Sequence, residues 1–181
     1  MTEYHLRTPI PQNRIRRLKT GDIVFLTGRI FTARDKAHQL IMTLQSSKIP
    51  KELKNLPLYH CGPLVRREHG KWIVLSAGPT TSRRLESTEA KVMEKLGVSV
   101  LIGKGGMGPA TAAALQRLPG VYLAYTGGAG VLAATQITGV LDVLWLAELG
   151  MADAVWLLEV REFGPLVVAM DAAGSSLYPE E

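Results

Sequence analysis

Three short segments of this chain set cations beside hydroxyls or glycines, a combination suited to an anionic ligand. Residues 80–84 read Thr-Thr-Ser-Arg-Arg and stand just ahead of a helical pattern. Hydroxyls there can satisfy orphan helix amides, so Thr80, Thr81 or Ser82 could act as a plain N-cap, and Arg83 or Arg84 could pair with Glu86. Two arginines at a helix N-terminus nevertheless oppose its dipole and call for an anion nearby. The guanidinium of Arg84 has the planar fork that grips a carboxylate with two hydrogen bonds.

The second segment, Gly103-Lys104-Gly105-Gly106-Met107-Gly108, follows an apolar run and precedes Pro109, a residue suited to the first helical position. Its spacing is that of a dinucleotide fingerprint, but no Asp or Glu occurs between Gly103 and Leu141 to hold a ribose. A nicotinamide-dependent oxidoreductase domain is disfavoured on that ground. No Gly-Lys-Ser/Thr ending makes it a P-loop. Lys104, the backbone around Gly105 and the start of the next helix suit a smaller anion; the plain alternative is a tight turn with an exposed lysine.

The third segment is Arg34-Asp35-Lys36-Ala37-His38. Arg34 and His38 share a face if it is helical, with an ion pair to Asp35 and a solvated first turn as the ordinary account. His5, His60 and His69 show no zinc-ligand spacing, and no Gly-x-Ser-x-Gly elbow is present.

Alternating strands and helices must position these segments. Short apolar runs predict strands over residues 4–9, 23–26, 73–75, 98–102, 121–125, 155–160 and 166–170. Helical periodicity covers residues 33–44, with Thr32 as N-cap, then 85–96 ending at Gly97, 109–118, a short helix after residue 130, and 141–149. This order predicts an α/β domain with a largely parallel sheet, whose ligands gather at the carboxyl ends of the strands.

Composition limits the remaining possibilities. With 46% hydrophobic residues, the 181-residue chain suits one domain with a full core over residues 1–181. The apolar stretch 121–149 is interrupted by Thr126-Gly127-Gly128, Gln136 and Asp142, which argues against a membrane span. Met1-Thr2-Glu3-Tyr4-His5 lacks an apolar leader, so a cytoplasmic location is expected. The net charge of +5 includes the cluster Arg14, Arg16, Arg17 and Lys19, but no interleaved aromatics suggest a nucleic-acid surface. One cysteine, Cys61, cannot make an internal disulfide or hold an iron–sulfur cluster, so no metal is assigned to this chain.

Taken in order, the segments resemble the beta subunit, or C-terminal domain, of class I iron–sulfur fumarases and L(+)-tartrate dehydratases. The resemblance runs through residues 32–38, 78–84 and 103–107, then Gly127-Gly128-Ala129, Glu148-Leu149-Gly150-Met151, Ala154-Val155-Trp156, and Asp171 to Tyr178. It departs at Ala33, where the family usually has glycine, and at the additional Arg83. The resemblance implies a swivelling β/β/α domain in an α2β2 hetero-oligomer. The alpha subunit would carry a four-iron four-sulfur cluster, one iron of which acts as Lewis acid on the hydroxyl of a four-carbon dicarboxylate. It implies fumarate/malate or tartrate as substrate, Thr80 as the base, and Arg34, Arg84, Lys104 and Gly105 as substrate-binding residues, with Asp35 and His38 in support. A non-catalytic small-anion-binding domain is the alternative.

Overall fold

The protein, represented by a computed structural model, is described over residues 1–178. Strand β1 (Glu3–Arg7) and the short helix α1 (Gln12–Ile15) lead into β2 (Ile23–Thr32), α2 (Asp35–Thr43) and β3 (Leu58–Tyr59). Then come β4 (Leu64–Glu68), β5 (Lys71–Ser76), α3 (Glu86–Leu96), β6 (Val100–Gly103), α4 (Pro109–Arg117) and β7 (Val121–Ala124). The chain closes with α5 (Gly130–Thr135), β8 (Ile137–Leu144), α6 (Leu146–Leu149) and β9 (Val155–Met170).

The sheet is mixed. β1, β2, β3, β6 and β7 lie parallel in that order, whereas β9 runs antiparallel to β2, β7 and β8. Because β9 also pairs with β2, the hydrogen-bonded neighbours β2-β3-β6-β7-β9 return to their start as a closed ring. The parallel arrangement expected from strand–helix alternation holds for β1, β2, β3, β6 and β7 and fails at β8 and β9. The last strands are joined by short connections, which favour antiparallel neighbours.

Strand side chains alternate between faces, and the core divides accordingly. Val100, Ile102, Val121, Leu123, Trp156 and Leu158 belong to one buried cluster, shared by all the ring strands. Leu101, Tyr122, Val155 and Leu157 belong to another, which takes Ala37 and Ile41 from α2, Val92, Met93 and Leu96 from α3, and Ala114 and Leu115 from α4. Gly97 ends α3 in the left-handed conformation, φ +67°, as its position after the periodic run predicts.

Four local expectations are corrected. Residues 141–149 are not one helix: residues up to Leu144 pair with β9, and only Leu146–Leu149 is helical, after Trp145 at φ 58°. A short apolar run such as Val140–Leu144 reads equally as strand or helix until a neighbour claims it. The two strands expected over 155–170 are one strand, irregular near Glu162 and Gly164, where a Cβ at Gly164 would stand 2.7 Å from the Val24 carbonyl oxygen. Residues 73–75 do form a strand, within β5, but outside the central sheet: β4 and β5 make a separate hairpin turned by His69-Gly70, both at positive φ. Finally, β2 continues past Gly28 to Thr32, so Thr32 is not the helix cap. It is fully buried, and its Oγ1 accepts the Trp156 backbone N–H at 3.1 Å.

That last contact is testable. Thr32→Val keeps the shape but strands the Trp156 N–H in the core, at a cost of about 1–3 kcal/mol in urea unfolding. The same change at exposed Thr43 should stay within about 0.5 kcal/mol of the parent.

Candidate active site

The parallel strands β2, β3, β6 and β7 point the same way, and their carboxyl ends deliver the segments singled out above. β2 ends beside Arg34 and Asp35, β3 beside His60 and Gly62, β6 beside Lys104 and Gly105, and β7 beside Gly127. The 80–84 segment is laid across these ends by backbone pairing. Cys61 bridges Pro79, Thr81 bridges Lys104, the Thr80 N–H donates to the His60 carbonyl at 2.7 Å, and the Ser82 N–H donates to the Lys104 carbonyl at 3.0 Å.

At this edge the Arg84 guanidinium donates from Nη2 to Thr80 Oγ1 at 2.7 Å, and the same nitrogen stands 3.7 Å from Asp35 Oδ2. Thr80 is half-buried and Arg84 exposed, so the pair opens to solvent. No side-chain cap is made on the turn that opens at Ser82, and the plain N-cap reading of Thr80 gives way to a hydroxyl held by a cation. Thr80 lies in the extended segment just before the 3-10 turn 82–85 that carries Arg84, and the turn folds Arg84 back onto it. Asp35 answers Arg84 across elements rather than making an intrahelical pair with Arg34.

Lys104 joins the group through backbone and stem. Its N–H donates to Ser82 Oγ at 3.2 Å, and its Cδ lies 3.1 Å from where a Cβ on Gly127 would sit. A larger residue at 127 would press on that side chain. Gly105, exposed at φ +75°, bends the loop and turns its carbonyl inward to accept the Tyr122 hydroxyl at 2.8 Å. Arg34 is half-buried and runs over Gly62, where a Cβ would meet its Cδ at 2.8 Å and its Nη1 at 2.7 Å. Its Nε is buried and finds no partner among the described residues.

Two expectations about charge are revised. The start of α4 is not open to an outside anion, because Glu86 fills it. Its carboxylate accepts the N–H groups of Gly108, Ala110 and Thr111 at 2.7, 2.8 and 3.1 Å, and the Thr111 hydroxyl at 2.7 Å. A pyrophosphate would meet that carboxylate where the dinucleotide fold needs free amides, a second argument against a nicotinamide site. Glu86 is thereby a helix cap for α4 rather than the partner expected for Arg84.

His38 is also not at the surface. It is fully buried, with Nδ1 2.9 Å from the Arg34 carbonyl oxygen and Nε2 3.2 Å from Glu89 Oε2. His60 approaches the same oxygen, its Nε2 at 2.9 Å, close enough for an ion pair though not aligned as a hydrogen bond. Burial pushes the Glu89 carboxyl up, but the close contacts with His60 and His38 outweigh it and hold the group down at about 2. For His38 burial lowers the pKa, and Glu89 with the Arg34 carbonyl raises it further, for a net rise.

Sequence reasoning passed over Glu89 and Tyr122, set His60 aside for want of zinc-ligand spacing, and read Ser82 only as a possible N-cap. A signal for the first was present: Glu89, Val92, Met93 and Leu96 form the buried stripe of α3, so a glutamate occupies an apolar-stripe position. His38 likewise stands between Ala37 and Ile41 on the buried face of α2.

Known proteins are similar to this chain over most of its length. The model of the fumarase C-terminus matches residues 1–181. The chain is 41% identical over 175 residues to the L(+)-tartrate dehydratase subunit beta of Escherichia coli, covering 97% of this chain and 86% of that one. It is 43% identical over 168 residues to a putative L(+)-tartrate dehydratase subunit beta of Methanocaldococcus jannaschii, covering 92% and 86%. A putative class I fumarate hydratase of Geobacillus stearothermophilus is 42% identical over 176 residues, 97% of this chain but only 33% of that longer protein. With the strand-end cations in place and a family match across its whole length, the chain belongs to the fumarase C-terminus family.

Proposed function

We propose that this chain is the beta subunit of a hydro-lyase that removes water from, or adds it to, a four-carbon dicarboxylate, fumarate/malate first and tartrate next. The observation that carries the reading is the hydrogen bond from Arg84 to Thr80 Oγ1 at the edge of the strand-end crevice. The relatives named as tartrate dehydratase beta subunits and as a class I fumarate hydratase support the same class of reaction.

The chain's own residues supply the base and the anion contacts. Thr80 Oγ1 takes the proton from the carbon next to the one bearing the hydroxyl. A threonine hydroxyl is a poor base in water; its own proton first leaves to solvent, and the Arg84 guanidinium, donating to Oγ1, stabilises the alkoxide that then accepts the substrate's proton. Asp35 steadies Arg84, so that its remaining N–H groups face a substrate carboxylate. Arg34 and Lys104 hold carboxylate charge from the ends of β2 and β6, together with the loop backbone at Gly105.

An iron–sulfur cluster does not fit this chain. Cys61 is its one cysteine, is fully buried, and has its thiol pushed up by that burial, so it stays protonated. The reading therefore assigns the four-iron four-sulfur cluster to an alpha subunit, with this chain as the swivelling β/β/α domain of an α2β2 assembly in the cytoplasm. Among the described residues no helix is long and apolar enough to cross a membrane.

Purified alone, the chain should be colourless, iron-free and inactive, and turnover should emerge on anaerobic assembly with a cysteine-bearing partner. Iron–sulfur absorbance from this chain by itself would sink the divided-site reading. In the assembled enzyme, Thr80→Ala should cut kcat by about 10² to 10⁴-fold. Thr80→Ser should recover part of the rate and Thr80→Val none, with melting temperatures close to the parent in all three. Near-normal turnover in Thr80→Ala would place the proton acceptor elsewhere. Arg84→Lys keeps charge but loses the fork, and hydrogen bonds to charged groups are worth about 1.5–3 kcal/mol, so kcat/KM should fall by about 10- to 100-fold. A silent Arg84→Lys beside a crippled Arg83→Lys would reverse the choice between the two arginines.

A further inference from the structure

The carboxylate of Glu89 is fully buried on the apolar stripe of α3, where a leucine would pack without any electrostatic cost. Burying a carboxylate between two histidines is a poor way to gain stability, so its use has to lie in what it holds. Two paths leave it, one through the hydrogen bond with His38 and one through the 2.9 Å ion-pair contact with His60, and both end at the loops that carry the candidate site.

The first path is short. The Arg34 carbonyl can only accept, so His38 Nδ1 carries a proton to it, and Nε2 turns a second proton to Glu89. His38 thus ties the Arg34 backbone to α3. The second path is longer, and proton counting fixes its direction. The Gly105 carbonyl can only accept, so the single Tyr122 hydroxyl proton goes there, at 2.8 Å. The Ser82 hydroxyl, 3.0 Å from Tyr122, must then donate to it. Ser82 Oγ is left to accept from the Lys104 N–H at 3.2 Å and from His60 Nδ1–H at 2.9 Å. His60 in turn presents Nε2 to Glu89, and its backbone carbonyl accepts the Thr80 N–H.

Gly103 passes through the middle of this network. A Cβ there would stand 1.9 Å from Ser82 Oγ, 2.9 Å from His60 Nδ1 and 3.1 Å from the Tyr122 hydroxyl oxygen, so a side chain of any size is excluded.

We infer that Glu89 is a positioning residue: through His38 on one side, and through His60, Ser82 and Tyr122 on the other, it locks the Arg34, Thr80 and Lys104–Gly105 loops into one rigid frame. It touches no substrate. Its role rests on the hydro-lyase reading for its consequence in turnover, but the frame itself is a property of this chain. Displacing a reacting group by about 1 Å costs about 10²-fold in rate, which is the scale on which loosening the frame should act.

The test uses Glu89→Gln and Tyr122→Phe, which interrupt the network at its centre and at its far end. In the full-length chain, amide hydrogen exchange at Thr80 and Lys104 should accelerate at least about tenfold in Glu89→Gln. Amides in the middle of α4 should keep their parental rates. Tyr122→Phe should accelerate Lys104 and leave the amide of His38 unchanged. In the assembled enzyme Glu89→Gln should lower kcat by about 10²-fold. Leu18→Ala, a core change remote from these loops, serves as a control for lost stability alone and should keep parental kcat. Exchange that rises uniformly across the chain, an unchanged kcat in Glu89→Gln, or an equal loss of kcat in Leu18→Ala would overturn the inference. If Glu89→Gln does not fold, Tyr122→Phe decides by the same measurements. A parental assembly without hydro-lyase turnover on any dicarboxylate would overturn the functional reading, and the exchange pattern would then decide the frame by itself.

Discussion

A buried carboxylate survives only where charge and hydrogen bonds replace the water it has lost, and at Glu89 two imidazoles compensate Oε2, while Oε1 has no partner among the described residues. Each imidazole is itself fixed at its second nitrogen, His38 by the Arg34 carbonyl and His60 by Ser82. The three groups are therefore mutually dependent. Removing one leaves a charge uncompensated in the core rather than a vacancy that can relax. The loops that carry Arg34, Thr80 and Lys104 are built on this cluster, and their order follows from it.

The ring of strands supplies the other constraint. Parallel β2, β3, β6 and β7 bring four strand ends to one edge, and antiparallel β9 closes the ring behind them. Alternation along each strand gives one face to the enclosed core and the other to α2, α3 and α4. Tyr122 shows how finely this divides: its neighbours Val121 and Leu123 face the enclosed cluster, while its own ring goes toward the helices and its hydroxyl reaches Ser82 and Gly105. One residue serves packing and site geometry together.

Charge is distributed by the same economy of position. Glu86 and Glu89 are three residues apart on α3 and have opposite surroundings. Glu86 caps the start of α4 with ordinary helix-end hydrogen bonds, whereas Glu89 lies inside the core against two rings. The α4 N-terminus is thus satisfied internally, so anion binding at this edge is proposed for the side chains of Arg34, Arg84 and Lys104.

Much of this was legible from residue types alone. The segments 34–38, 80–84 and 103–108 declared themselves by cations beside hydroxyls and glycines, and the helices over 85–96 and 109–118 by periodicity, Pro109 and Gly97. Those signals are local, and local chemistry determines them wherever the chain sits. The mixed sense of the sheet, the strand over 137–144 and the buried cluster were decided only by tertiary structure. An apolar run is strand or helix according to its neighbour, and β9 is that neighbour for β8. Glu89 and His60 are 29 positions apart in the chain (89 − 60), and no local rule marks them as partners. They meet because α3 lays its apolar stripe over the ends of β3 and β6, and only there does a glutamate on that stripe find the two imidazoles that keep it ionised.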